Sequence, residues 1–166
     1  MNQICEFSAS DASPLAATPT HCVFRRGTSW LALPTMAVRE VLPQPDMVAV
    51  PGTPAAFAGL CHVRGEFLPV LNLDAVLAER HEREPHILLV LDDRDGPWAI
   101  RVDEVMALQV LELSDAPERD GMDTGSVVAG WATHGDLVIQ VLDQSCVRRM
   151  VEQALAEMWR PVRLAE

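Results

Sequence analysis

Three groupings in this chain hold residue types that could do chemistry. His81-Glu82 with His86 comes close to the helical zinc signature, in which two imidazoles share a helix face and a glutamate serves as base. The second histidine lies one residue too far along for that face, and Pro85 would break the helix between them. Asp93-x-Asp95 with Glu104 at the twelfth place imitates a calcium loop, but Pro97 and Trp98 stand where a ligand and a glycine are needed. Cys61 beside His62 pairs a thiol with an imidazole. Neighbours along a strand point to opposite faces, so the two cannot act as nucleophile and base. Cys61 reads instead as a small buried apolar residue.

Other catalytic signatures are missing from the sequence. There is no Gly-x-Ser-x-Gly elbow and no glycine-rich phosphate loop, and Asp103-Glu104 reads as a strand terminus. All 13 basic residues are arginine, so the chain has no lysine for a phosphate loop, a Schiff base or pyridoxal phosphate. The chain is therefore expected to be no enzyme and to carry no metal and no cofactor.

Charge and composition narrow the partners. A net charge of −11 without a basic patch argues against nucleic acid and against anionic membrane surfaces. Cys5, Cys22, Cys61 and Cys146 form no Cys-x-x-Cys pair, which fits reduced thiols in a cytoplasmic protein. Residues 1–20 lack the basic start and apolar core of a signal peptide, and no apolar run approaches the ~18 residues needed to span a bilayer. With 166 residues, 49% of them hydrophobic, and a mean hydropathy of +0.10, the chain can bury a core without staples.

The elements follow from turn residues and periodicity. Residues 1–20, rich in Ser, Ala, Thr and Pro, are expected to form a flexible tail. Cys22 to Arg25 and Ser29 to Leu33 flank Arg26-Gly27-Thr28 as a hairpin, and Val38 to Leu42 resumes a strand pattern that Pro43 closes. Asp74 to Ala78 reads as one or two helical turns capped by Asn72 or Asp74. His86 to Leu91 and Trp98 to Val102 form a second hairpin, and Ser126 to Ala132 with Leu137 to Leu142 a third. Glu104 to Leu113 alternates as one strand, and Ser114 to Gly125 reads as an exposed acidic loop. Val147, Met150, Val151, Ala154, Leu155 and Met158 recur at helical spacing, with Asp143 or Ser145 as cap and Pro161 as stop.

The centre of the chain is Gly59 to Leu73, GLCHVRGEFLPVLNL. Two apolar segments flank Arg64-Gly65-Glu66, where Gly65 lets the chain reverse. The second segment is expected to be buried on both faces, with Phe67, Leu71 and Leu73 on one and Leu68, Val70 and Asn72 on the other. Pro69 cannot donate to a ladder, which predicts an edge or bulged position. Arg64 in this apolar company requires a carboxylate, a partner or water for its head.

This pattern resembles the signature of the CheW-like domain, the coupling module of bacterial chemosensory arrays. Leu33-Pro34 through Val38, Glu40 and Val41 is similar to that family's preceding segment, and Pro51 to Pro54 to its proline-bearing lead-in. Ala99 to Val105, and Gly130 through Gly135-Asp136 to Asp143, resemble its later strands in family order.

The resemblance implies an all-β fold of two small five-stranded SH3-like barrels with a C-terminal helix. The domain would cover residues 21–153, with 1–20 as tail and 154–166 as the helix end. It also implies a non-catalytic adaptor joining chemoreceptor cytoplasmic tips to the regulatory domain of a CheA-type histidine kinase. A receptor helix hairpin would lie in a groove between the barrels. Arg64 would fix the partner's orientation, with Val38, Glu40, Gly59, Val63 and Gly65 shaping the surfaces around it. Three departures stand out: Ala78 and Ala99 where the family often has Gly, and Asn72 for the commoner Asp. The alternatives that the residues leave open are a small-molecule-binding β-barrel and an adaptor serving an output other than motility.

Overall fold

The computed structural model describes residues 20–115 and 127–158. The chain opens with hairpin β1 (Thr20–Arg26) and β2 (Ser29–Pro34), and a 3₁₀ turn, Thr35–Ala37, carries it onward. Then come β3 (Val38–Pro43), β4 (Met47–Val48), β5 (Phe57–Val63), β6 (Glu66–Leu71), the short α1 (Leu73–Val76), β7 (Ile87–Leu91) and β8 (Trp98–Val102). Three short strands follow: β9 (Glu104–Val105), β10 (Gln109–Val110) and β11 (Leu113–Asp115). Hairpin β12 (Val128–His134) and β13 (Leu137–Leu142) leads into α2 (Gln144–Met158).

The strands form two sheets. Sheet A has the order β10-β1-β2-β13-β12-β11, with β9 also paired to β1, and sheet B has the order β3-β7-β8-β6-β5-β4. Each is built on the same plan: two antiparallel hairpins joined through a parallel pairing of their second strands. In sheet A that junction is β2 beside β13, and in sheet B it is β6 beside β8. These are the two SH3-like subdomains expected, with seven and six strands among the described residues where five each were expected. The excess is short flanking strands. Sheet B is one continuous run of chain inserted into sheet A, whose strands come from both sides of it.

Strand alternation gives each sheet two buried faces. Cys22, Phe24, Leu31 and Leu33 of sheet A meet Leu71, Leu89, Leu91, Ile100 and Val102 of sheet B in a shared core that α2 completes with Val147 and Val151. The opposite face of sheet B packs Cys61, Leu68, Val70, Leu88, Val90 and Ala99. The opposite face of sheet A packs Val23, Ala32, Leu111, Ala132 and Ile139.

Several expectations need refinement. Leu71 and Leu73 are buried, but Phe67, on the same face of β6, is 74% exposed because the strand's start projects past the shared core. β6 is an interior strand, not an edge. Its pairing with β8 covers only Val70 and Leu71, so Pro69 sits where no ladder on that side needs its missing N–H. The stretch read as one strand from Glu104 to Leu113 is broken into β9 and β10, which both pair with β1 but in registers one residue apart, and the start of β11, which pairs with β12 instead.

Both helix caps are as read. Asn72 Oδ1 accepts from the Asp74 amide, and Asp143 Oδ1 accepts from Ser145 and Cys146. The tail expected over residues 1–20, apart from Thr20 in β1, lies outside the described residues. So do most of the acidic loop (116–126) and residues 159–166.

Candidate functional site

The turn between β5 and β6 is a two-residue loop in which both Arg64 (φ 49°) and Gly65 (φ 91°) are left-handed. Such turns match the twist of the flanking strands and favour Asn-Gly. An arginine at the first position costs about 1–2 kcal/mol of backbone strain. Its side chain is 75% exposed, and its Nε donates to Glu40 Oε2 at 2.9 Å. Next to it, Arg39 meets Glu66 at 3.0 Å and Asp92 at 3.8 Å. β3 and the β5–β6 hairpin are not hydrogen-bonded neighbours in sheet B, so these crossed pairs show how far the sheet curls. Phe67 stands exposed beside them, its ring tilted against exposed His62 at 5.1 Å.

The structure thus brings Arg64, Gly65 and Glu40 together on one surface. Val63 is buried in the inner core of sheet B, and Val38 packs on the shared core just before a β-bulge that re-aims Glu40. Gly59 has φ 147°, and a Cβ there would run into the Val48 carbonyl. It lets β4 lie close over β5. These three residues shape the surface from beneath.

A second cluster was not legible as a site. The Arg26 side chain is 5% exposed. Its Nε and NH2 grip both oxygens of Asp74 at 2.7 and 2.6 Å, and its NH1 donates to Asp103 at 3.0 Å and to the Arg83 carbonyl at 2.9 Å. The Gly27 amide donates to the other Asp103 oxygen at 2.6 Å. His81 Nδ1 lies 3.1 Å from Asp74, and the imidazole fills the space where a Cβ on Gly27 would project. Burial alone would raise the Asp74 carboxyl, but Arg26 and His81 outweigh it and hold the pKa below its ordinary value. Burial alone would likewise lower the Arg26 guanidinium, and Asp74 and Asp103 hold it raised. One signal was available: alternation along β1 places Arg26 on the inward face of Cys22 and Phe24.

At the other end of the first hairpin lies an open groove of roughly 500 Å³, walled by His21, Pro34, Leu113, Val141 and Gln144, with Met36 on its rim. Met36 is 97% exposed. The groove's walls come from sheet A, the 3₁₀ turn and the start of α2.

The remaining chemical candidates resolve structurally. His81 belongs to the Arg26 cluster, whereas His86 is exposed at the start of β7. Asp93 caps its own turn and pairs with Arg148, while Trp98 is buried. Cys61 is buried and His62 exposed on opposite faces of β5, and burial pushes the Cys61 thiol up. Among the described residues, no cluster of three or more His, Cys, Asp or Glu side chains is arranged to hold a metal ion. Nor is any described helix long and apolar enough to cross a membrane.

Comparison with known proteins agrees with this fold. The family model for the CheW-like domain matches residues 20–150. Protein PilI of Pseudomonas aeruginosa is 32% identical over 88 residues, covering 52% of this chain and 49% of that protein. The chain thus spans about half the length of this curated relative. The crystal structure of scaffolding protein TtCheW from Thermoanaerobacter tengcongensis superposes with a TM-score of 0.67 at 20% identity, over 76% of this chain and 89% of that one.

Proposed function

The chain belongs to the CheW-like domain family of chemosensory adaptors and scaffolds, and on that premise we propose that it couples chemoreceptor cytoplasmic tips to the regulatory domain of a CheA-type histidine kinase. It does so without catalysis, in the cytoplasm, by presenting two surfaces. The Arg64 surface meets the kinase domain, and the groove beside Met36 takes the receptor's helical hairpin.

The observation that carries this reading is Arg64 itself. A non-glycine residue is kept in a strained left-handed turn, its guanidinium exposed yet held by Glu40. Strain of this kind persists where geometry serves a purpose. A guanidinium held on one side still has donors free for a planar, two-point contact to a carboxylate or carbonyl, which an ammonium would not match. Exposed Phe67 supplies apolar area next to that charge.

The test is titration of Arg64→Glu against the kinase regulatory domain and the receptor tip separately, with circular dichroism as control. The variant folds, and its affinity for the kinase domain falls by at least ~30-fold, the scale of reversing one member of a desolvated pair. A folded variant that binds both partners like the parent would remove Arg64 from the interface. A parent chain that binds neither partner would overturn the adaptor reading.

A further inference from the structure

Two buried polar atoms on the walls of the groove beside Met36 have no hydrogen-bond partner among the described residues. They are Nδ1 of His21, on β1, and Oε1 of Gln144, the first residue of α2. His21 as a whole is 2% exposed. Gln44 Oε1, Trp98 Nε1 and Arg101 Nε share the property, but none of those three residues lines this groove. A buried polar group left unpaired costs stability, and folded proteins keep few of them. We propose that Gln144 and His21 set the specificity of the groove. The helix that enters it carries, among apolar side chains, an uncharged hydroxyl or carboxamide whose O–H or N–H pairs with them. The proposal rests on reading the groove as the receptor site.

The chemistry of that side chain follows from the walls. Gln144 Oε1 is an acceptor, so the group facing it donates. His21 Nδ1 accepts or donates according to which ring nitrogen holds the proton, and it suits a hydroxyl or a carboxamide equally. Pro34 and Val141 supply apolar area, with Met36 and Leu113 97% and 51% exposed at the mouth. A partner carboxylate would meet the Gln144 oxygen and the Asp143 carboxylate, with no arginine on the walls to offset them. A partner ammonium would lose its hydration for little return. The Asp143 carboxylate already accepts from the Ser145 and Cys146 amides as the cap of α2. A neutral donor is what remains.

The frame around the two atoms is fixed. Thr35 Oγ1 donates to the Thr20 carbonyl at 2.8 Å, and the Asp92 amide to the Ala37 carbonyl at 3.0 Å. The Asp143 amide donates to the Val127 carbonyl at 2.8 Å. These bonds tie down the 3₁₀ turn and the start of α2, so the groove admits a helix through side-chain motion. Met36 and Gln144 are unbranched, and Gln144 as a residue is half-buried. Both can turn toward an entering helix without backbone movement, and His21 receives its partner once they have turned.

The test measures melting temperature and affinity for the receptor tip and the kinase regulatory domain, in the parent and in four variants. Gln144→Met removes the unpaired oxygen and keeps the side chain's length. Its melting temperature stays level or rises, its receptor affinity falls ~10-fold and its kinase-domain affinity stays within about twofold. Gln144→Glu has an oxygen at both ends of the head group, so it keeps the acceptor whichever way the carboxamide lies. Its receptor affinity stays within about threefold of the parent's. His21→Leu behaves like Gln144→Met, whereas His21→Asn, with a polar atom near the position of Nδ1, keeps most of the affinity.

A structural role for the two residues predicts the opposite pattern. Gln144→Met and His21→Leu would then melt lower and bind the receptor tip like the parent, and that result overturns the proposal. Equal losses toward both partners mark a general distortion and likewise overturn it. If Gln144→Glu binds as poorly as Gln144→Met, the partner offers no donor there; if it binds ~10-fold tighter than the parent, the partner offers a cation. Either result sinks the neutral donor. The half-buried Gln144 decides the matter should the His21 variants fail to fold. A parent that does not bind the receptor tip overturns the adaptor reading and this inference with it. A parent that binds, with variants that bind equally well, overturns this inference alone.

Discussion

Arg26 and Arg64 are both arginines at hairpin turns, and both meet a carboxylate, yet their surroundings are opposite. The Arg26 side chain is 5% exposed and that of Arg64 75%. Arg26 spends its donors on two carboxylates and a carbonyl of its own chain, whereas Arg64 makes one contact and leaves the rest of its fork in water. Desolvation makes the first cluster costly to break and directional. Hydration makes the second pair cheap to break and open to a newcomer. The position of a charged pair, more than its chemistry, decides whether it organises the molecule or serves its partners.

The sharpest way to break this contrast is to remove each guanidinium in turn. Arg26→Met strands Asp74 and Asp103, the latter with a side chain only 1% exposed, and should cost about 3–5 kcal/mol in urea denaturation. Arg64→Met should cost less than about 1 kcal/mol in the same assay. Equal losses would mean that burial does not distinguish the two sites.

A smaller effect is expected beneath the exposed surface. Gly59→Ala combines a left-handed φ with a clash against β4 and should cost about 3 kcal/mol. Gly65→Ala meets open space and should cost only the left-handed penalty of about 1–2 kcal/mol. Should the two cost the same, Gly59 is not what lets β4 close over β5.

The smallest effect is in pH. The Asp74 carboxyl is held below its ordinary value of 3.8, so its contribution is fully present above that pH and is lost as pH falls through the lower folded value. Parent stability should decline through that acid window. Asp74→Asn, less stable at neutral pH, should decline less steeply there. Parallel declines would show that Asp74 is not held by the Arg26 cluster.

Local features were legible wherever the chain states them locally. The three hairpins, the Asn72 and Asp143 caps and the stripe of α2 follow from turn residues and periodicity within a few positions of each other. The Arg64–Glu40 surface was reached only through the resemblance of the motif, since no local rule pairs residues 24 apart. The Arg26 cluster was missed because its partners lie 48 and 77 residues away.

The common plan of the two sheets was illegible for a different reason. Two hairpins joined by a parallel pair define it, and pairing between distant strands leaves no sequence repeat. Ala78 shows the reverse case. It was noted as standing where the family often has Gly, and its φ of 55° supplies the physical reason a glycine suits that position.

The insertion of sheet B into sheet A sets an order of events on the ribosome. Every strand of sheet B has been synthesised once residue 102 is made, whereas the parallel junction of sheet A waits for residues 139–141 of β13. At about 5–20 residues per second, that leaves several seconds in which sheet B can close while β1 and β2 still lack their parallel neighbour. During that interval the nascent chain exposes Phe24, Leu31 and the inner face of the first hairpin unless sheet B covers them. The half of the protein made in the middle is thus the template on which its two ends are assembled.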